Sequence, residues 1–258
     1  MPTAKIPSDP VQKALPLYRL VKRDLQQMIE AGHYGIGKAL PNEANLSAAM
    51  KVSIGTLRHA VDELVHEHVL VRRQGKGTFV APHNNARFMF QFFQVEPRPD
   101  PEEGHPIREL EYPDIACISF TRDKAQPTEA RALRIRPGDQ VFRIENKLSL
   151  NKQVVVHDQL TLPLAKFRNL SEHQFVNRSS TVYALYQSDF GITVLRAQER
   201  ARAVAAGRSV ARVLGMPVGC PVIEVHRLAL TFADKPVEYR ISTIDTRAHD
   251  YVSVLSKK

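Results

Sequence analysis

The sequence predicts an α+β chain of two domains, an N-terminal winged helix-turn-helix followed by an antiparallel-sheet domain with flanking helices. Three observations predict it. Apolar residues recur at helical spacing to about residue 64, then give way to two short β-prone runs around a glycine-containing loop. A unit of helix, turn and β-hairpin occurs twice in the second half. The 258 residues also exceed one typical domain of roughly 150 residues.

The chain opens on a polar arm, residues 1–15, with three prolines. From Pro16 to Ala31, Leu17, Leu20, Val21, Leu25, Met28 and Ile29 fall along one helical face. Pro16 suits the first turn and Gly32 the position after the last. A second helix is expected over Glu43–Met50, with Asn42 as cap and Leu46 and Met50 as an i, i+4 apolar pair. After the tight turn Lys51-Val52-Ser53, Ser53 caps a third helix whose inner face is Leu57, Ala60, Val61 and Leu64. Two β runs, 69–73 and 78–81, then flank Gln74-Gly75-Lys76-Gly77 and form a hairpin.

These elements set the first domain at residues 1–82. Residues 83–104 read as a linker, and 105–258 as the second domain. Within the linker the alternating cluster Phe88, Phe90, Phe92 and Phe93 could add a strand. In the second domain Ala130-Arg131-Ala132-Leu133, Gly138 and Val141-Phe142 recur 81 residues later as Ala211-Arg212-Val213-Leu214, Gly219 and Val222-Ile223. The turns that follow, Asn151-Lys152-Gln153 and Asp234-Lys235-Pro236, are offset by 83. A sheet built from both hairpins is the expected architecture.

With 43% apolar and 24% charged residues, the composition excludes disorder throughout. Thirty-six Lys and Arg against 27 Asp and Glu give +9, which favours a polyanionic partner. Cys117 and Cys220 form no CxxC pair, so no disulfide scaffold or zinc ribbon is expected, and no metal or cofactor. The first twenty residues lack the apolar core of a signal peptide, and no apolar run approaches ~18 residues. A soluble, cytoplasmic protein with no membrane contact is expected.

Two short helices around a tight turn, followed by a hairpin, place the second helix of the pair in the DNA major groove. Its N-terminal residues are Ser53, Ile54, Gly55, Thr56, Arg58 and His59. Ser53 and Thr56 can bond phosphate or base, and Arg58 offers a fork matching guanine or phosphate. The loop Arg72-Arg73-Gln74-Gly75-Lys76-Gly77 brings cations and backbone N–H groups to the neighbouring groove. Charge supports this mildly: residues 1–82 hold 11 basic and 7 acidic side chains. Solvated cations on a small helical domain are the alternative reading.

The run LPNEANLSAAMKVSIGTLRHAVDELVHEHVLVRRQGKGTFV, within Leu17–Val80, resembles the DNA-binding domain of GntR-type bacterial regulators. The resemblance implies DNA contacts at Ser53, Thr56, Arg58 and Gly75, with Gln74 and Lys76 beside the wing tip. His59 and Gly77 complete the candidate surface. Many relatives carry arginine where this chain has Ala44 and Ile54, so no operator sequence transfers from them.

The segments ARALRIRPGDQVFRIENKLSLNKQVVVHDQLTLP and ARVLGMPVGCPVIEVHRLALTFADKPVEYRISTID resemble the UTRA effector domain of the HutC subgroup, a chorismate-lyase-like fold. Strand alternation puts Glu238, Arg240 and Ser242 on one face, with His157 and Gln159 at the repeat-equivalent positions of Arg240 and Ser242. A ligand cavity between the hairpins would use that face, although it could also be a solvent face. The resemblance implies binding roles for Glu238, Arg196 and Thr181. Asn146 and Leu148 stand where sugar-phosphate-binding members have arginines, which favours a smaller anionic metabolite.

The expected function is a one-component, ligand-responsive transcription regulator, a repressor binding an inverted-repeat operator as a homodimer and released by a small polar, anionic metabolite. It is not expected to be an enzyme. An enzyme of chorismate-lyase-like fold fused to a DNA-binding module is the alternative, but no catalytic motif supports it.

Overall fold

A computed structural model describes residues 16–82, 95–99 and 112–253. The chain divides into two compact units, Met1–Pro82 and His83–Lys258.

The first unit contains α1 (Leu17–Glu30), α2 (Glu43–Met50), α3 (Ile54–His66), β1 (Leu70–Arg73) and β2 (Gly77–Val80). Leu25, Leu57, Ala60 and Leu64 are fully buried where α1 crosses α3. Truncating one of these leucines to Ala would cost about 2–5 kcal/mol. Asn42 caps α2 by accepting from the Asn45 N–H, and Ser53 caps α3 by accepting from the Thr56 N–H. Lys51 (φ 54°) adopts the left-handed conformation that ends α2 and opens the tight turn. β1 and β2 pair from Leu70↔Val80 to Arg73↔Gly77.

The second unit is a six-stranded antiparallel sheet. Its strands are β4 (Asp114–Lys124), β5 (Gln140–Leu150), β6 (Gln153–Pro163), β7 (Arg196–Ala205), β8 (Pro221–Leu230) and β9 (Pro236–Ile244), in the order β4-β5-β6-β9-β8-β7. Among the described residues four α-helices accompany it: α4 (Pro127–Leu133), α5 (Glu172–Val176), α6 (Val182–Phe190) and α7 (Arg208–Leu214).

The repeat is a pseudo-twofold. α4 and α7 match at offset 81, as do Gly138 and Gly219, both at φ 88°. The buried trios Ala125, Ala130, Val141 and Ala206, Ala211, Val222 correspond in the same way. The repeated unit is larger than the sequence suggested, because β4 and β7 precede the helices. β7, RAQERARAVA, is a charged edge strand with little apolar alternation, which is why its pattern does not announce it.

One register differs from the sequence reading. The second-hairpin turns are matched by backbone geometry at Asn151 and Lys152 (φ 49° and 65°) and Ala233 and Asp234 (φ 53° and 54°), an offset of 82 rather than 83. The repeat equivalent of Arg240 is therefore Asp158, and that of Tyr239 is His157. Side chains alternate at every step along a strand, so this one-residue difference moves His157 to the other face of the sheet.

The expected linker also needs correction. Within 83–104, Val95–Pro97 forms β3, which pairs with β10 (His249–Tyr251). Arg98 reinforces the pair by donating to Asp250 and to the Thr246 carbonyl at 3.0 and 2.8 Å. The aromatic cluster Phe88–Phe93 lies outside the described residues.

Candidate functional site

In the first unit the recognition helix presents Ile54, Gly55, Arg58 and His59 outward, opposite its buried face. Ser53 Oγ lies 2.9 Å from Thr56 Oγ1 as well as capping the helix, so these hydroxyls stiffen the first turn. Arg58 donates Nε to Glu43 Oε2 at 2.6 Å, and its side chain is otherwise 62% exposed. Glu43 thus orients the guanidinium while both Nη groups stay available for a bidentate contact. His59 stacks on Tyr18 of α1, with centroids 3.9 Å apart. At the wing tip Gly75 and Gly77 have φ 70° and 106°, a conformation that favours glycine, and the Lys76 N–H closes the turn on the Arg73 carbonyl. Gln74 and Lys76 are exposed there.

In the second unit α5 and α6 cover part of one sheet face through Phe142, Ile144, Leu160, Phe167, Phe175 and Tyr186. Beside this cluster lies a pocket partly open to solvent. Its polar lining includes Asn146, Asp158, Arg178, Thr181, Arg227 and Arg240. A second cavity shares Asp158, Arg227 and Arg240, and is otherwise mostly apolar, with Val95 and Tyr251 contributed by the β3–β10 pair.

Arg240 is gripped from below. Glu238, at 0% exposure, accepts from Arg240 Nε and Nη2 at 2.9 and 3.1 Å. Tyr183 and Tyr186 donate to the same carboxylate at 3.1 and 2.6 Å, and Arg240 Nη1 donates to Asp158 at 3.1 Å. Burial opposes the charge on Arg240, but Glu238 and Asp158 outweigh it and hold the guanidinium well above its ordinary pKa. Burial, followed by the Glu238 charge, raises both tyrosine phenols, which therefore remain donors. Arg227 pairs with Glu199, which also accepts from Tyr251.

Arg178 has a different environment. It lies over the Phe175 ring at 4.8 Å and donates Nη1 to the Phe175 carbonyl. Burial pulls its pKa below the ordinary value, with Arg240 adding to that pull. Arg178 Nε is buried with no hydrogen-bond partner among the described residues, and so are Asn146 Oδ1 and Asp158 Oδ1. One donor and two acceptors thus stand unpaired on the walls of one pocket, each costing about 1–3 kcal/mol while unpaired.

Two family models match the chain. Residues 17–80 match "Bacterial regulatory proteins, gntR family", and residues 112–250 match "UTRA domain". The chain belongs to the gntR family, in the group that carries a UTRA domain. The "Probable fructoselysine utilization operon transcriptional repressor" of Escherichia coli is 30% identical over 94% of this chain and 95% of its own length. The "Histidine utilization repressor" of Pseudomonas aeruginosa is 25% identical over 82% of this chain and 77% of its own. Among solved structures, the ligand-binding domain of a GntR-family regulator from Bordetella bronchiseptica superposes with TM-score 0.57 and 32% identity, over 64% of this chain and 98% of that one. YydK from Bacillus subtilis, at TM-score 0.53 and 15% identity over 94% of this chain and all of its own, shares the fold.

Within this gntR-UTRA frame the chain is a ligand-responsive transcription regulator with a DNA-binding and an effector-binding domain, and its homologues are named as regulators. No helix among the described residues is long and apolar enough to cross a membrane. Of the effector residues expected from sequence, Thr181 and Arg240 line the pocket. Thr181 also caps α6 by accepting from the Ala184 N–H. Glu238 lies beneath Arg240, and the donors around it occupy both its oxygens, so it is a support rather than a free acceptor. Arg196 does not line the pocket. It opens β7 at the sheet edge and pairs with Asp234 at 2.7 Å. His157, 1% exposed on the opposite face, lies 3.3 Å from Glu145.

The charged pocket residues that sequence reasoning missed are Asp158, Arg178 and Arg227. Alternation read at the offset of 82 would have found Asp158. Arg178 precedes the α6 cap in a short connection, where no periodicity marks it.

Proposed function

We propose that this regulator is a cytoplasmic repressor that binds an inverted-repeat operator as a homodimer. It is released when a small amino-acid-like metabolite fills the pocket beside α6. Twofold dimer symmetry gives two recognition helices and a palindromic site. Ser53, Thr56, Arg58 and His59 would read the major groove, while Gln74, Gly75, Lys76 and Gly77 would engage the adjacent backbone.

The observation that carries the effector reading is the unpaired trio Arg178 Nε, Asn146 Oδ1 and Asp158 Oδ1 around one pocket. A carboxylate satisfies the arginine and an ammonium or hydroxyl satisfies the two acceptors. Thr181 and Arg240 complete the site. The names of two relatives, repressors for fructoselysine and histidine utilization, support an effector derived from an amino acid. The ligand is sensed and not turned over.

A thermal-shift screen tests this with amino acids and their breakdown products, simple monocarboxylates, simple amines and sugar phosphates. Compounds with both an anionic end and a donor end should stabilise the wild type and not Arg178→Gln. Stabilisation by sugar phosphates alone, or equal shifts in both proteins, would overturn the pocket assignment. Chemical conversion of a stabilising compound would revive the enzyme reading.

A further inference from the structure

The recognition helix begins with an exposed isoleucine. Ile54 is 43% exposed, whereas Leu57, Ala60, Val61 and Leu64 carry the packing of the same helix. It stands one turn before Arg58, and residues four apart lie on one face of a helix. The exposed aliphatic group and the exposed guanidinium therefore share one surface.

Gly55 marks the same surface. A Cβ placed there would meet only Ser53 Oγ, at 3.8 Å, an ordinary contact, and the backbone conformation does not require glycine. Glycine in a helix is less stable than alanine. Among the described residues no atom but Ser53 Oγ comes within 4 Å of that position, so the glycine leaves open space on the outer face of the helix.

We propose that Ile54 reads the C5-methyl of a thymine in each operator half-site and fixes an A·T pair beside the base or phosphate held by Arg58. Thymine alone presents an apolar group in the major groove, while the other base edges there offer donors and acceptors. An isoleucine can pair with none of those polar groups, and pressed against them it would desolvate them without return. Gly55 lets the helix end approach closely enough for van der Waals contact. The proposal rests on the DNA-reading role of α3.

The test selects duplexes from a random pool with the full-length protein at fixed salt. Each thymidine in the selected site is then replaced singly by deoxyuridine, which lacks only the methyl. One replacement per half-site should weaken wild-type binding roughly three- to fivefold, the worth of about one buried methyl group. Ile54→Ala, which removes the contact from both half-sites, should lose roughly ten- to twenty-fivefold on the thymidine duplex and show no further loss when either sensitive thymidine is replaced, while Ile54→Val retains most of the effect. If every deoxyuridine duplex binds like its parent, or Ile54→Ala responds as the wild type does, the proposal is wrong. Selection of no preferred sequence would instead overturn the DNA-reading role itself.

Discussion

Arg58 of the recognition helix donates Nε to Glu43 Oε2 across 2.6 Å, joining the glutamate of Leu40-Pro41-Asn42-Glu43 to the arginine fifteen residues on. Arg72 of the wing strand lies 4.0 Å from the same carboxylate and 2.6 Å from Asp62. A single acidic side chain thus relates both helices of the reading motif to the hairpin. An exposed pair of this kind adds little to stability, so its expected role is to aim the arginine.

Replacing Glu43 by Gln should therefore act on specificity. The aimed fork is lost for the preferred site, while removal of one negative charge near the backbone strengthens non-specific binding. Competition titrations at fixed salt should show the ratio of specific to non-specific affinity fall by about threefold or more. Arg58→Ala should lower specific affinity by about tenfold or more, from a lost contact worth ~1–3 kcal/mol in each half-site. An unchanged ratio in Glu43→Gln would show that the pair aims nothing.

Glu238→Ala should destabilise the protein before any ligand is added. It leaves Arg240 facing only Asp158 and removes the acceptor of two buried tyrosines. Breaking a buried pair costs roughly 3–5 kcal/mol. At about 2–4 °C per kcal/mol for a domain of this size, scanning calorimetry should show Tm lower by more than about 6 °C. A ligand-free Tm equal to wild type would return Glu238 to the role of a free acceptor.

A fragment starting at residue 83 should be more stable than one starting at 105. The longer fragment keeps Val95, 5% exposed, and the Arg98 hydrogen bonds to Asp250 and Thr246. Their burial and pairing contribute on the order of 2 kcal/mol. Equal denaturant midpoints for the two fragments would mean that β3 adds nothing to the sheet domain.

The first unit was legible almost throughout, because caps, turn residues and apolar spacing all act locally. Asn42, Ser53 and the inner face of α3 stand where their chemistry puts them. The second unit was legible as a repeat but not in its fine register. The repeat itself shows in Ala130/Ala211 and Gly138/Gly219. Which face His157 or Asp158 occupies depends on a single residue of slip in the hairpin turn, and only the strand pairing decides it. Arg178, Arg227 and Asp158 meet through the sheet and the connection before α6, and no local pattern records such a meeting.

Stability should fall as pH drops from 7 toward 5, in part through His249. Burial lowers its pKa from the ordinary 6.5, against the opposing pull of Asp245 and Asp250, while Arg98 adds to the lowering. The folded state thus favours the neutral imidazole. The contribution of His249 is present above the unfolded value and is lost as pH falls below it. Chemical denaturation at pH 7, 6 and 5 should show a slope in stability that flattens in His249→Gln, and an identical slope in the variant would remove His249 as its source.

The most direct test of the account joins its two halves. A fluorescent duplex selected with the wild-type protein is bound by wild type and by Arg178→Gln, and both are titrated with a metabolite that stabilised the wild type. Anisotropy should show equal DNA affinity before addition. The metabolite should then release the wild type while the variant stays bound at concentrations at least about tenfold higher. Release of both proteins at the same concentration would contradict the account, because the arginine pocket would then play no part in the response.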